Sequence, residues 1–200
     1  MVIKKIILLL IIMLNFPSCT NPFGTRSAEK PAADQNSDIF DQPISSEVVL
    51  SNLRYALIQK NVSNYMSCFV DSGFIQTISF HFKPDEGIPA ERFQGWSLED
   101  EANYLRNVFT NAHGISFEYI DKENITITPI STSLDSVQTS PFAYQLDIEF
   151  KQTTTYYGIA RMKLIKNSNS LWAIYYWEDT RNSDNNSNTW STLKADYRIN

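Results

Sequence analysis

Few side chains in this 200-residue sequence have the type and placement that acid–base chemistry requires. His81 would titrate near neutral pH if it lined a cavity. Asp147 and Glu149 alternate along one predicted strand, and paired carboxylates act as acid and base when they are shielded from water. A more ordinary interpretation is favoured for all three residues, which is that they are solvated side chains on a sheet surface. For the two acids the reason is that Lys151 continues the same face of the strand. No catalytic residue is assigned.

The sequence also lacks the clusters that hold metal ions or activate a thiol. His113 is predicted at the end of a helix, where a cation suits the helix dipole. No His-x-x-x-His spacing or pair of nearby cysteines occurs. Cys68 lies in an apolar stretch with no neighbouring histidine, so it is interpreted as a buried structural thiol. No metal site and no cofactor are expected.

A surplus of aromatic residues points instead to binding. The stretch 171–177 has more aromatic surface than one face of a strand can bury, and the excess is suited to a ligand pocket or a partner surface. The predicted binding residues are Phe93, Trp96, Tyr157, Arg161 and Trp172. Two alternatives stay open: aromatic side chains that merely cover the sheet, and a cross-strand pair between Arg161 and Asp147 or Glu149.

The N-terminus carries an export signal that ends at a cysteine. Lys4 and Lys5 precede an almost unbroken apolar run over 6–14, which is too short to span a bilayer. Ser18 directly precedes Cys19, and this segment resembles the signal peptides of bacterial lipoproteins. The resemblance implies a signal peptide over 1–18 and lipid attached to Cys19. Ordinary cleavage nearby, which would leave Cys19 a free thiol, is the alternative.

This resemblance also implies that the protein is located in the bacterial cell envelope. The residue after Cys19 is Thr20, whereas some lipoproteins have Asp at this position. In this respect the segment resembles the signals of Gram-negative lipoproteins that are sent to the outer membrane. The net charge of −5 gives no basic surface for nucleic acid or anionic lipid headgroups. The expected membrane contact is therefore the N-terminal lipid, and no nucleic-acid partner is expected.

The rest of the chain divides by composition. Residues 19–44 are rich in Pro, Ser, Asp, Gln and Asn and read as the lipidated cysteine followed by a disordered tether. Residues 45–181 carry regular hydrophobic periodicity and form the predicted domain. Residues 182–200 begin with a polar run and are predicted as a polar C-terminal tail, with Trp190, Leu193 and Tyr197 docking weakly on the domain.

Within the domain, helical patterns come first and alternating patterns dominate afterwards. A first helix is predicted with Ser45 or Ser46 as its N-cap, and a short one follows near residues 65–69. A third begins at Ser97, with Asp100 as a capping-box partner, and ends at Gly114. Strands are predicted over 74–82, 115–119, 125–127, 144–150, 156–166 and 171–179, the last three as an antiparallel meander.

This order of elements is typical of an α+β fold. Over residues 45–180 it resembles the NTF2-like, or cystatin-like, cone, whose closing strand often carries an aromatic-rich stretch of the kind at 172–179. The resemblance implies two to three helices packed on a curved antiparallel sheet. The superfamily includes isomerases, dehydratases, polyketide cyclases, transport factors and many lipoproteins, so the fold does not determine the function.

Three functions remain open at this point. The favoured one is a membrane-anchored domain that binds a small apolar ligand or an envelope partner protein without catalysis. The alternative is an enzyme of the isomerase, dehydratase or cyclase type, with an acid–base residue inside the cone. A third is a structural subunit of an envelope complex.

Overall fold

The computed structural model describes residues 40–130, 135–182 and 188–198. These residues form an α+β fold in which helices pack on one face of a curved seven-stranded sheet. The predicted fold class is confirmed. The predicted signal peptide, Cys19 and most of the predicted tether lie outside the described residues.

Caps and apolar faces define the first two helices. Helix α1 (Ser46–Ile58) begins after Ser45, whose side chain accepts a hydrogen bond from the backbone N–H of Val48, as predicted. Its buried face consists mainly of Val49, Leu50, Leu53, Ala56 and Leu57. Lys60 then takes up a left-handed backbone with φ of 52°, which ends the helical run. Asn61 caps the short helix α2 (Val62–Met66) that follows.

Helix α3 (Leu98–Asn111) starts with the predicted capping box. The Ser97 hydroxyl accepts from the Asp100 backbone N–H, while the Asp100 carboxylate accepts from the Ser97 backbone N–H. The helix ends where Ala112 becomes extended. Gly114, predicted to end this helix, is instead the first residue of the next strand.

The sheet is built around one long strand. Its members are β1 (His81–Lys83), β2 (Gly114–Tyr119), β3 (Ile127–Pro129), β4 (Ser136–Thr139), β5 (Phe142–Glu149), β6 (Thr153–Lys166) and β7 (Trp172–Thr180). Strand β6 pairs with β5 over its first half, with β4 over its second half, and with β7 along its other edge. The predicted antiparallel meander of β5, β6 and β7 is therefore confirmed.

Strand β1 differs from the prediction in two ways. It has three residues, not nine, and it pairs with β7 in parallel, so the sheet is mixed. The start of the predicted strand is lost for a local reason, because the Asp71 carboxylate accepts hydrogen bonds from the backbone N–H groups of Gly73 and Phe74 and stabilises a turn there.

The residues predicted as a polar tail contain a fourth helix, α4 (Trp190–Tyr197), capped by Thr189. It packs against α3, β6 and β7. Trp190, Leu193 and Lys194 on this helix are each at most 1% exposed, which is deeper burial than weak docking would give. Helix α4 is thus part of the core, on the same side of the sheet as α1 and α3.

Candidate functional site

A cluster of polar and charged side chains lies buried between helix α4 and the inner face of the sheet. We call it the interior cluster, and its members come from α2, α3, β5, β7 and α4. They are Tyr65, Glu101, Tyr104, Tyr144, Asp179, Trp190, Ser191 and Lys194. Buried charges are costly unless they are paired, so each must be accounted for by a partner.

Glu101 of α3 is the centre of the first half of this cluster. Its Oε1 accepts from the Tyr65 hydroxyl at 2.7 Å, and its Oε2 accepts from Trp96 Nε1 at 2.8 Å. The Lys194 ammonium lies 2.8 Å from Oε1 and 2.9 Å from Oε2. Both side chains of this ion pair are 0% exposed. The pair is therefore fully removed from water, where losing either partner is expensive.

The tyrosines continue this network in a defined direction. Because Tyr65 donates its proton to Glu101, Tyr104 must be the donor in the 3.0 Å contact between the two hydroxyls. The Tyr104 oxygen in turn accepts from Trp190 Nε1 at 3.1 Å. Burial and the neighbouring Glu101 carboxylate raise the pKa of both tyrosines well above the ordinary value. Both therefore remain protonated donors at neutral pH.

Aromatic rings surround the Lys194 ammonium on the sides that Glu101 leaves open. Its Nζ lies 3.6 Å from the ring centroid of Phe82 and 3.9 Å from that of Trp177. The rings of Tyr104 and Trp96 are more distant, at 5.5 Å and 5.9 Å. Desolvation lowers the pKa of Lys194 to about 8, against the opposing attraction of Glu101.

Asp179 of β7 holds the beginning of α4. Its carboxylate accepts from the Ser191 backbone N–H at 2.6 Å, from the Ser191 hydroxyl at 2.5 Å and from the Tyr144 hydroxyl at 2.6 Å. Tyr144 in turn accepts from the Trp190 backbone N–H at 2.7 Å. The free N–H of Ser191 is thus satisfied by an acid, which also suits the helix dipole, and the free N–H of Trp190 is satisfied by the Tyr144 hydroxyl. Burial raises the pKa of Asp179, and these hydrogen bonds oppose that rise.

Gly158 makes room for this arrangement. A Cβ at position 158 would lie 2.6 Å from the Tyr144 hydroxyl oxygen and 3.0 Å from the Thr180 carbonyl oxygen. The hydroxyl is fixed by Asp179 and Trp190, so it has little freedom to move away. A residue without a side chain is therefore required where β6 passes under Tyr144.

The five residues predicted to bind a ligand or partner do not form one site. Phe93 is buried, and Trp96 packs against it at 5.1 Å while donating to Glu101, so both belong to the interior. Tyr157 and Arg161 lie on the opposite face of the sheet. Trp172 begins β7 at the edge near Pro43, whose carbonyl accepts from its backbone N–H.

The predicted acid–base candidates lie away from the interior. His81 is exposed on the outer face, with its ring stacked on Tyr176 at 5.6 Å, as expected for a solvated sheet residue. Asp147 accepts from Thr155 Oγ1 at 2.5 Å and from Gln145 Nε2 at 2.8 Å on that same face. Arg161 does not pair with Asp147 or Glu149. Its partner is Glu178 at 3.8 Å, because β7 and not β5 lies beside this part of β6.

Sequence reasoning missed the three interior charges. The sequence patterns assign no role to Glu101, Asp179 or Lys194. A signal for Asp179 was present, since it ends the apolar stretch of β7. For Lys194 the signal is the helical spacing of Trp190, Leu193 and Tyr197, since Lys194 is four residues after Trp190 and therefore on the same, buried face of the helix.

A second feature is a cationic patch on the outer face, which consists of His81, Lys83, Arg161, Lys163, Tyr176 and Glu178. Cross-strand pairing puts these side chains together, since His81 and Lys163 both pair with Tyr176, and Lys83 and Arg161 both pair with Glu178. Lys163 Nζ lies 4.7 Å from the Tyr176 ring centroid, and Lys83 Nζ lies 2.6 Å from Glu178 Oε1. Lys83 and Arg161 therefore share the Glu178 carboxylate, while Lys163 contacts the Tyr176 ring.

The described residues provide no group of three or more side chains suited to a metal ion. Among the helices that these residues form, none has the length and apolar character of a membrane span.

Comparisons of structure identify the fold. An NTF2-like family protein from Streptomyces avermitilis, proposed to be a dehydratase, superposes with a TM-score of 0.51 at 9% identity, over 68% of this chain and 92% of that one. An NTF2-like protein from Rhodospirillum rubrum, of unknown function in nutrient uptake, gives 0.51 at 8% identity, over 69% and 98%. No protein-family model and no curated protein matches the sequence significantly. The domain therefore has the NTF2-like fold.

Proposed function

We propose that the protein is a lipid-anchored envelope lipoprotein whose NTF2-like domain binds an envelope partner protein and does not catalyse a reaction. The observation that carries this proposal is the occupied interior. Glu101 and Asp179 each make their hydrogen bonds to the protein's own side chains, and α4 contributes Lys194 and Ser191 to them. Both carboxylates are 0% exposed, so a substrate could reach them only if α4 left the interior.

The occupied interior also favours a partner protein over a small apolar ligand. Trp190, Leu193 and Lys194 fill the inner side of the sheet, so a ligand there would have to displace the helix. The outer face needs no such change, because the cationic patch is already accessible: His81 and Arg161 are exposed, and Lys163 and Tyr176 are half-buried.

The charge of the patch indicates the kind of partner. The chain as a whole carries a net charge of −5, yet Lys83, Arg161 and Lys163 meet on one part of the outer face, where Glu178 pairs with the first two. Complementary charge steers association and sets the orientation of a complex. The aromatic rings of Tyr176 and His81 add the flat surface that interfaces favour. We therefore propose an acidic segment of an envelope protein as the partner.

Site-specific photo-crosslinking in cells tests this surface. A crosslinker at Gln138, beside Lys163 on the outer face, is expected to give one discrete adduct, while a crosslinker at exposed Arg106 on α3 gives none. Lys163→Glu should lower the yield at position 138 by about tenfold or more, because like charges then face each other. The matched control, Lys122→Glu at an exposed turn, should leave the yield unchanged. Equal adducts at both positions, or an unchanged yield in Lys163→Glu, would contradict the proposal.

Lipid attachment and location in the envelope are tested separately. Cys19→Ser should move the protein from the membrane fraction to the soluble envelope fraction, because no acyl chain then holds it. Cys68→Ser is the matched control and should stay with the membrane, since Cys68 is buried in the domain. Unchanged membrane recovery of Cys19→Ser, together with a mature N-terminus that has no acyl mass, would refute lipidation.

One observation favours the alternative function, an acid–base enzyme. Asp179 is a buried carboxyl with a raised pKa beside the Tyr144 hydroxyl, the kind of pair that an acid–base enzyme uses. This alternative requires α4 to leave the interior. A conversion of the cell's metabolites that Asp179→Asn abolishes and Asp147→Asn leaves intact would establish catalysis and overturn the proposed function.

A further inference from the structure

The surroundings of the Lys194 ammonium group are those of a cation-binding site. Glu101 contacts it with both carboxylate oxygens, at 2.8 Å and 2.9 Å. The Phe82 and Trp177 rings lie within 3.9 Å of Nζ. A carboxylate combined with aromatic faces is the arrangement by which proteins recognise organic ammonium ions, because the rings attract a cation that has been removed from water.

The walls of this site are built without helix α4. Phe82 comes from β1, Trp177 from β7, and Glu101 and Tyr104 from α3, while Trp96 precedes α3. These elements are held together by their own contacts, such as the ring packing of Phe82 on Trp177 at 5.7 Å and of Trp96 on Tyr104 at 5.9 Å. Helix α4 contributes the cation. The receptor and its occupant are thus separate parts of one chain.

We propose that the interior of the cone is a binding site for a primary alkylammonium group, which the protein occupies with its own Lys194. A primary ammonium fits better than a quaternary one, because both Glu101 oxygens lie at hydrogen-bond distance and a quaternary nitrogen has no N–H to donate. This site is distinct from the cationic patch and does not depend on it.

Chemical rescue of Lys194→Ala tests the site directly. The substitution removes three methylene groups and the ammonium, which together correspond to n-propylammonium. That ion should raise the thermal midpoint of the variant saturably, by at least about 2 °C, and should leave the wild type unchanged. n-Propanol and tetramethylammonium should give clearly smaller rises, since one lacks the charge and the other lacks N–H groups. The double variant Glu101→Gln/Lys194→Ala should bind n-propylammonium on the order of tenfold more weakly.

Two outcomes would overturn the proposal. One is a Lys194→Ala variant with no saturable response to n-propylammonium. The other is an equal response to n-propanol, which would indicate an apolar cavity without cation recognition. If Lys194→Ala does not fold alone, refolding with n-propylammonium becomes the measurement, with Lys194→Met as the control that fills the space. Recovery with the amine supports the site, and failure to recover while Lys194→Met folds refutes it.

Discussion

Replacing Glu101 with Gln is expected to lower the free energy of unfolding by about 3–5 kcal/mol, because it leaves the Lys194 ammonium buried without a counter-charge. The wild-type pair is 0% exposed on both sides, so water cannot replace the lost carboxylate. Gln keeps the size of the side chain and retains one carbonyl oxygen as an acceptor. The loss therefore reports the missing charge and one hydrogen bond, from Tyr65 or Trp96, that the amide NH2 group cannot accept, and not a cavity. The measurement is urea denaturation, analysed with the same dependence of the unfolding free energy on urea concentration for the wild type and the variant.

The double variant Glu101→Gln/Lys194→Met is the control for this interpretation. Once the cation is also removed, no unpaired buried charge remains, and the methionine fills most of the space that the lysine occupied. The double variant should therefore be more stable than the sum of the two single losses predicts, by about 0.5–3 kcal/mol of coupling energy. Strictly additive losses would show that the two charges do not interact across the interior.

The pH dependence of stability measures the same pair in a second way. Burial lowers the folded-state pKa of Lys194 to about 8, below its value of 10.5 when free. Between these two values the unfolded chain binds the extra proton at Lys194, so this residue makes stability rise with pH, at up to about 1.4 kcal/mol per pH unit. The buried Cys68 thiol and buried tyrosine hydroxyls such as that of Tyr144 have raised pKa values and act in the opposite direction, because their unfolded forms lose protons first. The measured quantity is therefore the stability of the wild type minus that of Lys194→Met, which should rise between pH 8 and 9.5. A difference that falls over this interval would contradict the assignment.

Truncating Trp177 to Ala is expected to cost about 3–5 kcal/mol, since it opens a cavity at the centre of the core. Trp177 is 0% exposed, and its ring lies 4.5 Å from Trp190, 5.7 Å from Phe82 and 6.2 Å from Phe69. It thus contacts α4, β1 and the segment after α2 at once. Its removal should also loosen α4, which rests on it through Trp190.

Trp172→Ala on the same strand is the matched control. Trp172 is half-buried at the first residue of β7, and Lys166 Nζ lies 5.7 Å from its ring centroid. The loss of stability should be less than half of that for Trp177→Ala, because the site remains open to water and leaves no closed cavity. Equal denaturant midpoints for the two variants would show that the burial of β7 is not as described.

Features with a local cause were predictable from the sequence. Ser45 and the Ser97–Asp100 box begin their helices as expected, since a cap depends on a few neighbouring residues. The alternation of apolar and polar residues in β5 and the short links between β5, β6 and β7 were sufficient to predict the antiparallel meander. The order of these elements then led to the NTF2-like fold, which the comparisons of structure support.

The interior site was not predictable in this way. Whether Glu101 faces water or a buried lysine depends on α4, which lies about ninety residues further along the chain and was interpreted as part of a polar tail. The same holds for Trp96 and Arg161, which share a predicted site but lie on opposite faces of the sheet.

The sequence alone determined the helix caps, the strand periodicity and the fold class, and it indicated the export signal that remains a prediction. The tertiary structure decided which charges are buried, which aromatic rings meet them and which strand lies beside β7. The physical reason is that caps and periodicity act over a few residues. Burial and ion pairing instead depend on which distant segment covers a side chain, and no local pattern records that partner.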